Sequence, residues 1–205
     1  MGRISEVSLT IIFIILSAPA QICVAATLFW QLGRPVMFRQ IRAGINGKNI
    51  TINKFRTMTN SYNSAGALQP DNQRQTRTTR FIRKLRLDEL PQLWSVLRGQ
   101  MALVGPRPLL SSTLAGFREL GELRNSVRPG LTGWAQVNGN TRLDNSEKLV
   151  LDLWYVAHRS AALDMRILAK TILVPLRGEV RDNARLQEAK EWAHHRFGDV
   201  IVAVK

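Results

Sequence analysis

Two neighbouring carboxylates, Asp88 and Glu89, lie in the run Arg83-Lys84-Leu85-Arg86-Leu87-Asp88-Glu89-Leu90-Pro91-Gln92. A basic stretch precedes them. Pro91 follows, and a proline is at ease in the first turn of a helix, where its missing N–H leaves nothing unpaired. This places Asp88 or Glu89 at a helix N-terminus, beside free N–H groups and the positive end of the helix dipole. Such a position keeps a carboxylate ionised and also attracts phosphate. An ionised carboxylate can act as a nucleophile on phosphorus. The plainer alternative is that Asp88 caps the helix and pairs with a nearby arginine.

Four other stretches carry chemistry. In Leu103-Val104-Gly105-Pro106-Arg107-Pro108 two prolines stiffen the backbone around one arginine, a side chain suited to bidentate phosphate recognition. In Lys54-Phe55-Arg56-Thr57-Met58 two cations leave a strand together, as a clamp on a transferring phosphoryl group would require. Between Pro129 and Gly139, Trp134 and the amides of Gln136 and Asn138 stand among glycines, a set able to hold a base or sugar ring. Asp152, in Leu151-Asp152-Leu153-Trp154-Tyr155, lies on a largely apolar helix, so it is either paired with an arginine or a ligand to metal or substrate. Each stretch also has a bland reading: a solvated arginine, an edge strand, a tight structural loop or a buried ion pair.

The elements that must position these groups are legible in outline. Val36 to Ile41 and Ile50 to Phe55 read as two strands around an Asn46-Gly47 turn. Residues 59–75 read as a polar loop. Helices are expected over 76–87, 91–97 (ended by Gly99), 111–123, 148–158 and 163–176. In the tail, Leu186, Ala189, Trp192, Ala193 and Phe197 recur at helical spacing, giving one helix that rests on the domain or on a membrane.

The chain has 205 residues, 29 basic and 15 acidic, for a formal net charge of +14. One cysteine, Cys23, excludes a disulfide scaffold, and three histidines leave little for a His-built metal site. The basic surplus implies a polyanionic partner: nucleic acid, anionic lipid or a phosphorylated substrate. Between Glu6 and Arg34, however, 27 residues carry no charge, enough for a helix that crosses a bilayer. Pro19, within Ser17-Ala18-Pro19-Ala20, is expected to break that helix into two short halves that enter one leaflet and return, with Trp30 at the interface. A kinked spanning helix and a signal peptide are the competing readings.

Taken together, KFRTM (54–58), DELPQLWSVLRG (88–99), LVGPRP (103–108), RPGLTGWAQVNG (128–139) and LDLWYV (151–156) resemble the bacterial sugar transferase family in order and spacing. Its members are small monotopic polyprenyl-phosphate phosphoglycosyl transferases. The resemblance implies transfer of a sugar 1-phosphate from a UDP-sugar donor to polyprenyl (undecaprenyl) phosphate with release of UMP, as a first step of exopolysaccharide or glycoconjugate synthesis. It implies Asp88 as nucleophile and Mg²⁺ ligand, Glu89 as its catalytic partner and Arg107 as a phosphate holder. Lys54, Arg56, Arg83, Gln136, Asn138 and Asp152 complete the expected substrate-binding set. It also implies seating on the cytoplasmic leaflet of the bacterial inner membrane, without nucleic acid, and leaves room for a homo-oligomer. The expected fold is α+β, mainly α: a re-entrant helix-break-helix (1–31), a catalytic domain with a small β-hairpin (32–178) and a helical tail (179–205). Two readings of other classes stand beside it, a nucleic-acid-binding protein and an inactive transferase-like scaffold. The sequence departs from the family pattern at Asn140, where an arginine is usual.

Overall fold

A single helix, α1 (Arg3–Leu32), takes up the uncharged N-terminal stretch in the computed structural model, which describes residues 1–64 and 66–198. By length and composition it is apolar enough to cross a membrane. The expected break is absent: helical backbone runs straight through Pro19. A proline removes one intrahelical donor, and here the surrounding turn is knitted by side chains. The Ser17 hydroxyl donates to the Phe13 carbonyl at 2.6 Å and accepts from Gln21 Nε2 at 3.0 Å.

The hairpin follows as expected. Strand β1 (Met37–Ala43) pairs antiparallel with β2 (Asn49–Phe55), Lys54 opposite Phe38. Asn46 supplies a left-handed turn residue at φ 53°. Phe55 is buried, so alternation along the strand turns Lys54 to the other face.

Helix α2 (Arg77–Lys84) starts at a capping box in which Thr76 and Thr79 satisfy each other's backbone N–H groups. It stops three residues short of the expected Leu87, because Arg86 takes a left-handed conformation at φ 56°. A 3-10 turn (Leu87–Gln92) then leads into α3 (Leu93–Leu97). Asp88 and Glu89 therefore sit in a 3-10 turn rather than at the mouth of a regular helix. Pro91 cannot donate to Leu87, so the tighter winding loses no bond there.

Strand β3 (Ala102–Val104) comes next, and the single helix expected over 111–123 is two: α4 (Ser111–Gly116) and α5 (Arg118–Arg124). Arg118 at φ 50° makes the corner, and Gly121 fits it because a Cβ there would lie 2.5 Å from the Leu114 carbonyl oxygen. The glycine-rich stretch forms strand β4 (Gly130–Thr132), parallel to β3, and then α6 (Trp134–Val137). Three capped helices close the chain: α7 (Asn145–His158), α8 (Ala161–Arg177) and α9 (Asn183–Phe197).

The main core joins α3, β3, α6, α7, α8 and α9 through Val96, Leu103, Trp134, Leu151, Ile167 and Ala189. The tail helix thus packs one face into the domain; residues 199–205 of the expected tail lie outside the described residues. A smaller cluster ties Val24 and Leu28 of α1 to Phe55 and Ile82.

Candidate active site

Asp88 and Glu89 open onto a cavity of about 590 Å³ walled by α2, the 3-10 turn, the Arg107 loop and α7. Among the described residues its lining carries eight cationic side chains and four carboxylates. Three of those acids are committed to an arginine: Glu89 to Arg107, Asp152 to Arg124 and Glu179 to Arg86. Asp88 has no ion-pair partner among the described residues, although it is only 6% exposed.

Burial raises both adjacent carboxyls, but their partners differ and so do the outcomes. It pushes the Asp88 carboxyl up to about 6, Glu89's charge adds to the shift, and Lys54 and Arg83 offset only part of it. Glu89 feels the same penalty of burial. There the charge and two hydrogen bonds of Arg107, backed by Arg86 and Lys54, hold its carboxyl below the usual range. One acid is thus fixed as a charged anchor while its neighbour is free to titrate and react. Lys54 pays for its position, since burial pushes its ammonium down and the facing Asp88 and Glu89 restore only part.

Arg107 is held from behind. Arg124, itself buried, donates from Nη2 to the Arg107 carbonyl at 2.6 Å and from Nε to Asp152 at 2.9 Å. The loop carrying Arg107 is also fastened to β4: Gly105 N–H donates to Thr132 and Gly130 N–H to Pro106, each at 2.9 Å. Only glycines permit this approach, for a Cβ on Gly130 would lie 2.1 Å from Gly105 N.

The structure gathers Lys54, Arg83, Asp88, Glu89, Arg107, Gln136 and Asp152 around one cavity. Their situations differ. Gln136 is buried, donates to the Leu131 carbonyl at 3.1 Å and leaves Oε1 without a partner among the described residues. Asp152 faces the cavity, but its carboxylate is bound to Arg124. The structure does not bring Arg56 or Asn138 there. Arg56 caps the end of α1 by donating to the carbonyls of Leu32 and Gly33. Asn138 is fully buried between the Trp134 carbonyl and Lys170. Strand alternation would put Arg56 on the Lys54 face, two residues on, but β2 ends at Phe55 and the side chain turns to the end of α1. Arg86, Lys148, Thr141 and Glu179 line the cavity without having been singled out from the sequence. Only Arg86 had a local signal, as part of the basic run; nothing in the spacing joins Glu179 to Asp88.

The family model for the bacterial sugar transferases matches residues 1–178. The chain belongs to that family. Within it, the chain is 50% identical over 142 residues to the uncharacterized sugar transferase EpsL of Bacillus subtilis (strain 168), covering 69% of this chain and 70% of the relative. It is 37% identical over 182 residues to the UDP-glucose:undecaprenyl-phosphate glucose-1-phosphate transferase of Escherichia coli (strain K12). It is 38% identical over 181 residues to the UDP-N-acetylgalactosamine-undecaprenyl-phosphate N-acetylgalactosaminephosphotransferase of Aeromonas hydrophila. Each of these two alignments covers 84% of this chain, but only 39% and 43% of the relatives' own length. As a sugar transferase family member, the chain has the mainly helical α+β fold with a small hairpin and a long apolar N-terminal helix.

Proposed function

We propose that this protein moves a sugar 1-phosphate from a UDP-sugar to undecaprenyl phosphate, releasing UMP, through a phosphosugar ester on Asp88. The observation that carries the reading is the lone unpaired carboxylate in a cavity rich in cations. A diphosphate brings negative charge, and Lys54, Arg83, Arg107 and Lys148 face the space it would fill. In the first step an Asp88 oxygen forms a bond to the donor's β-phosphorus while the bond to the UMP oxygen breaks. In the second, an acceptor phosphate oxygen bonds to that phosphorus and Asp88 leaves as a carboxylate. Arg107, fixed by Glu89 and Arg124, holds phosphate oxygens in place, so little rearrangement is needed as charge shifts.

Family members generally work with a divalent metal, and this donor set suits Mg²⁺. That ion needs only one or two carboxylates when phosphates and water complete its shell. With Glu89 held by Arg107, Asp88 is the carboxylate free to hold it; the bound ion would offset charge on the diphosphate.

The anchor fits a lipid acceptor. Helix α1 leaves Ile11, Ile12, Ile15, Leu16 and Ile22 exposed, while both its ends dock on the domain that carries Asp88. That arrangement supports seating on one leaflet, the cytoplasmic one where UDP-sugars are made available.

The test is the mass of the protein after incubation with Mg²⁺ and a panel of UDP-sugars without acceptor. A gain equal to one sugar phosphate on the Asp88 peptide, discharged by undecaprenyl phosphate, is expected. No adduct with any donor, together with UMP release once undecaprenyl phosphate is added, would overturn the covalent route, and no release from any donor even with that acceptor present would overturn the transfer itself.

A further inference from the structure

Glu179 stands directly after the last residue that the family model matches, in the short segment between α8 and α9. Its carboxylate is taken up by donors from two distant parts of the chain. One oxygen receives Arg86 Nη2 at 3.2 Å and the Asn140 amide; the other receives the Thr141 N–H at 3.2 Å and the Thr141 hydroxyl. Arg86 (φ 56°) and Asn140 (φ 47°) both hold left-handed backbone conformations, unusual for non-glycine residues. Asparagine tolerates that conformation, so Arg86 is the position whose backbone geometry is imposed by its surroundings.

A guanidinium, a backbone N–H, an amide N–H and a hydroxyl converging on one point form a set that a phosphate group also takes. The three residues that supply them, Arg86, Asn140 and Thr141, line the cavity that holds Asp88, as does Glu179. Glu179 also acts on Arg107 through its charge, so it belongs to the same electrostatic field. Gly178 opens the segment at φ 80° into free space, with nothing within 4 Å of where a Cβ would be. Its far side borders a second cavity of about 470 Å³, where Arg177 is a cation without an acidic partner among the described residues that can receive a displaced carboxylate. Beyond Glu179 the strap is pinned, with Arg181 on Glu147 at 2.6 Å and the Asp182 N–H on the Asn138 carbonyl at 3.0 Å.

We propose that Arg86, Asn140 and Thr141 form a phosphate subsite of the catalytic cavity, which Glu179 fills until a substrate phosphate displaces it. The identity of that substrate rests on the transferase reading; the subsite itself does not. The phosphate belongs either to the nucleoside diphosphate donor or to the lipid acceptor, and the same chemistry serves both.

The experiment is a titration of the whole protein with inorganic phosphate, followed by calorimetry and by hydrogen exchange over residues 178–182. Phosphate should speed exchange in that segment. Glu179→Gln keeps the shape of the side chain but removes the competing charge, and should tighten phosphate binding about five-fold or more. Adding Arg86→Gln or Thr141→Val to that variant should cancel the gain. Equal or weaker binding by Glu179→Gln would overturn the proposal, as would a gain that survives both second substitutions. Repeating the titration with UDP and with a short-chain polyprenyl phosphate assigns the source, as the ligand whose affinity shifts by the same factor. Tighter phosphate binding in a protein that turns over no UDP-sugar would sink the transferase reading and leave the subsite standing.

Discussion

On the proposed mechanism, Asp88 serves reaction at the expense of stability. Its carboxyl lies at about 6 against an ordinary value of 3.8, so the fold holds its proton more tightly than the unfolded chain does. The stabilising contribution of protonated Asp88 is therefore complete below about pH 4 and is lost as pH rises through 6. Above that, the buried charge costs on the order of 3 kcal/mol, the equivalent of the displacement from 3.8 to 6. Asp88→Asn should abolish turnover yet melt about 5 °C or more above the parent at pH 8 without divalent metal. At pH 4 the two melting temperatures should coincide. A variant that melts lower at pH 8 would show that the carboxylate is stabilised by partners rather than exposed to a penalty. On the proposed mechanism the same property sets kcat/KM, because only ionised Asp88 attacks: at limiting Mg²⁺ the rate should fall about ten-fold per pH unit below 6. An acid limb lying near pH 4 would mean that the free enzyme holds Asp88 as an ordinary carboxylate.

At the scale of elements, the site depends on contacts between loops that only small residues allow. The β3–β4 pair brings Gly105 against Gly130 and so fixes the Arg107 loop beside Asp88. Gly130→Ala would drive a Cβ into Gly105 backbone that cannot yield as a side chain would. We expect a loss of about 3 kcal/mol or more, read as a lowered denaturant midpoint; a loss under 1 kcal/mol would show that the two strands can separate. The buried Arg124–Asp152 pair supports the same loop from the other side. Asp152→Ala should cost about 3–5 kcal/mol by leaving a buried guanidinium uncompensated, and a neutral result in thermal melting would mean that water reaches Arg124. The sequence shows some of this construction and hides the rest for physical reasons. The Asn46-Gly47 hairpin and the capped helices are local signals, encoded within a few residues, and they form where expected. The Pro106–Pro108 arginine and the acid pair are likewise local. The parallel β3–β4 pairing is a long-range contact between three-residue strands, too short to show a period of two. The split between α4 and α5 turns on the backbone angle of Arg118, a residue type that gives no warning of it. Arg56 and Asn138 look like substrate ligands in a linear motif, but the fold sends one to the end of α1 and the other into the core. Glu179 joins the site only because α8 carries the chain back across it.

The whole molecule is arranged around a helix too apolar for water and fastened at both ends to one domain. Near its start, Glu6 accepts from Arg128 at 2.8 Å and from the Leu103 N–H at 3.1 Å. Near its finish, Leu28 is fully buried against the cluster holding Phe55 and Ile82, and Gln31 donates to Thr78 at 2.9 Å. Glu6 and Leu28 are separated by a rise of about 33 Å at 1.5 Å per residue, close to the thickness of a hydrocarbon core. Length alone would therefore permit a crossing, but a folded domain cannot hold the two ends from opposite sides of a bilayer. On the proposed reading the exposed isoleucines enter one leaflet while the domain stays on that side, close to the basic residues of α2 and to anionic headgroups. Ile4 and Trp30, each 85% exposed, report on the two ends. In a Cys23→Ser background, Ile4→Cys and Trp30→Cys should react with an impermeant maleimide from the same face of sealed membrane vesicles. Labelling from opposite faces would mean that α1 spans the membrane and that at least one docked end comes away from the domain. Replacing Ile15 and Leu16 with lysine removes apolar surface at the middle of the helix and should release the protein from vesicles, with its melting temperature in detergent unchanged. If the double variant stays bound, the membrane is held by the basic face of α2, and high salt should then detach it.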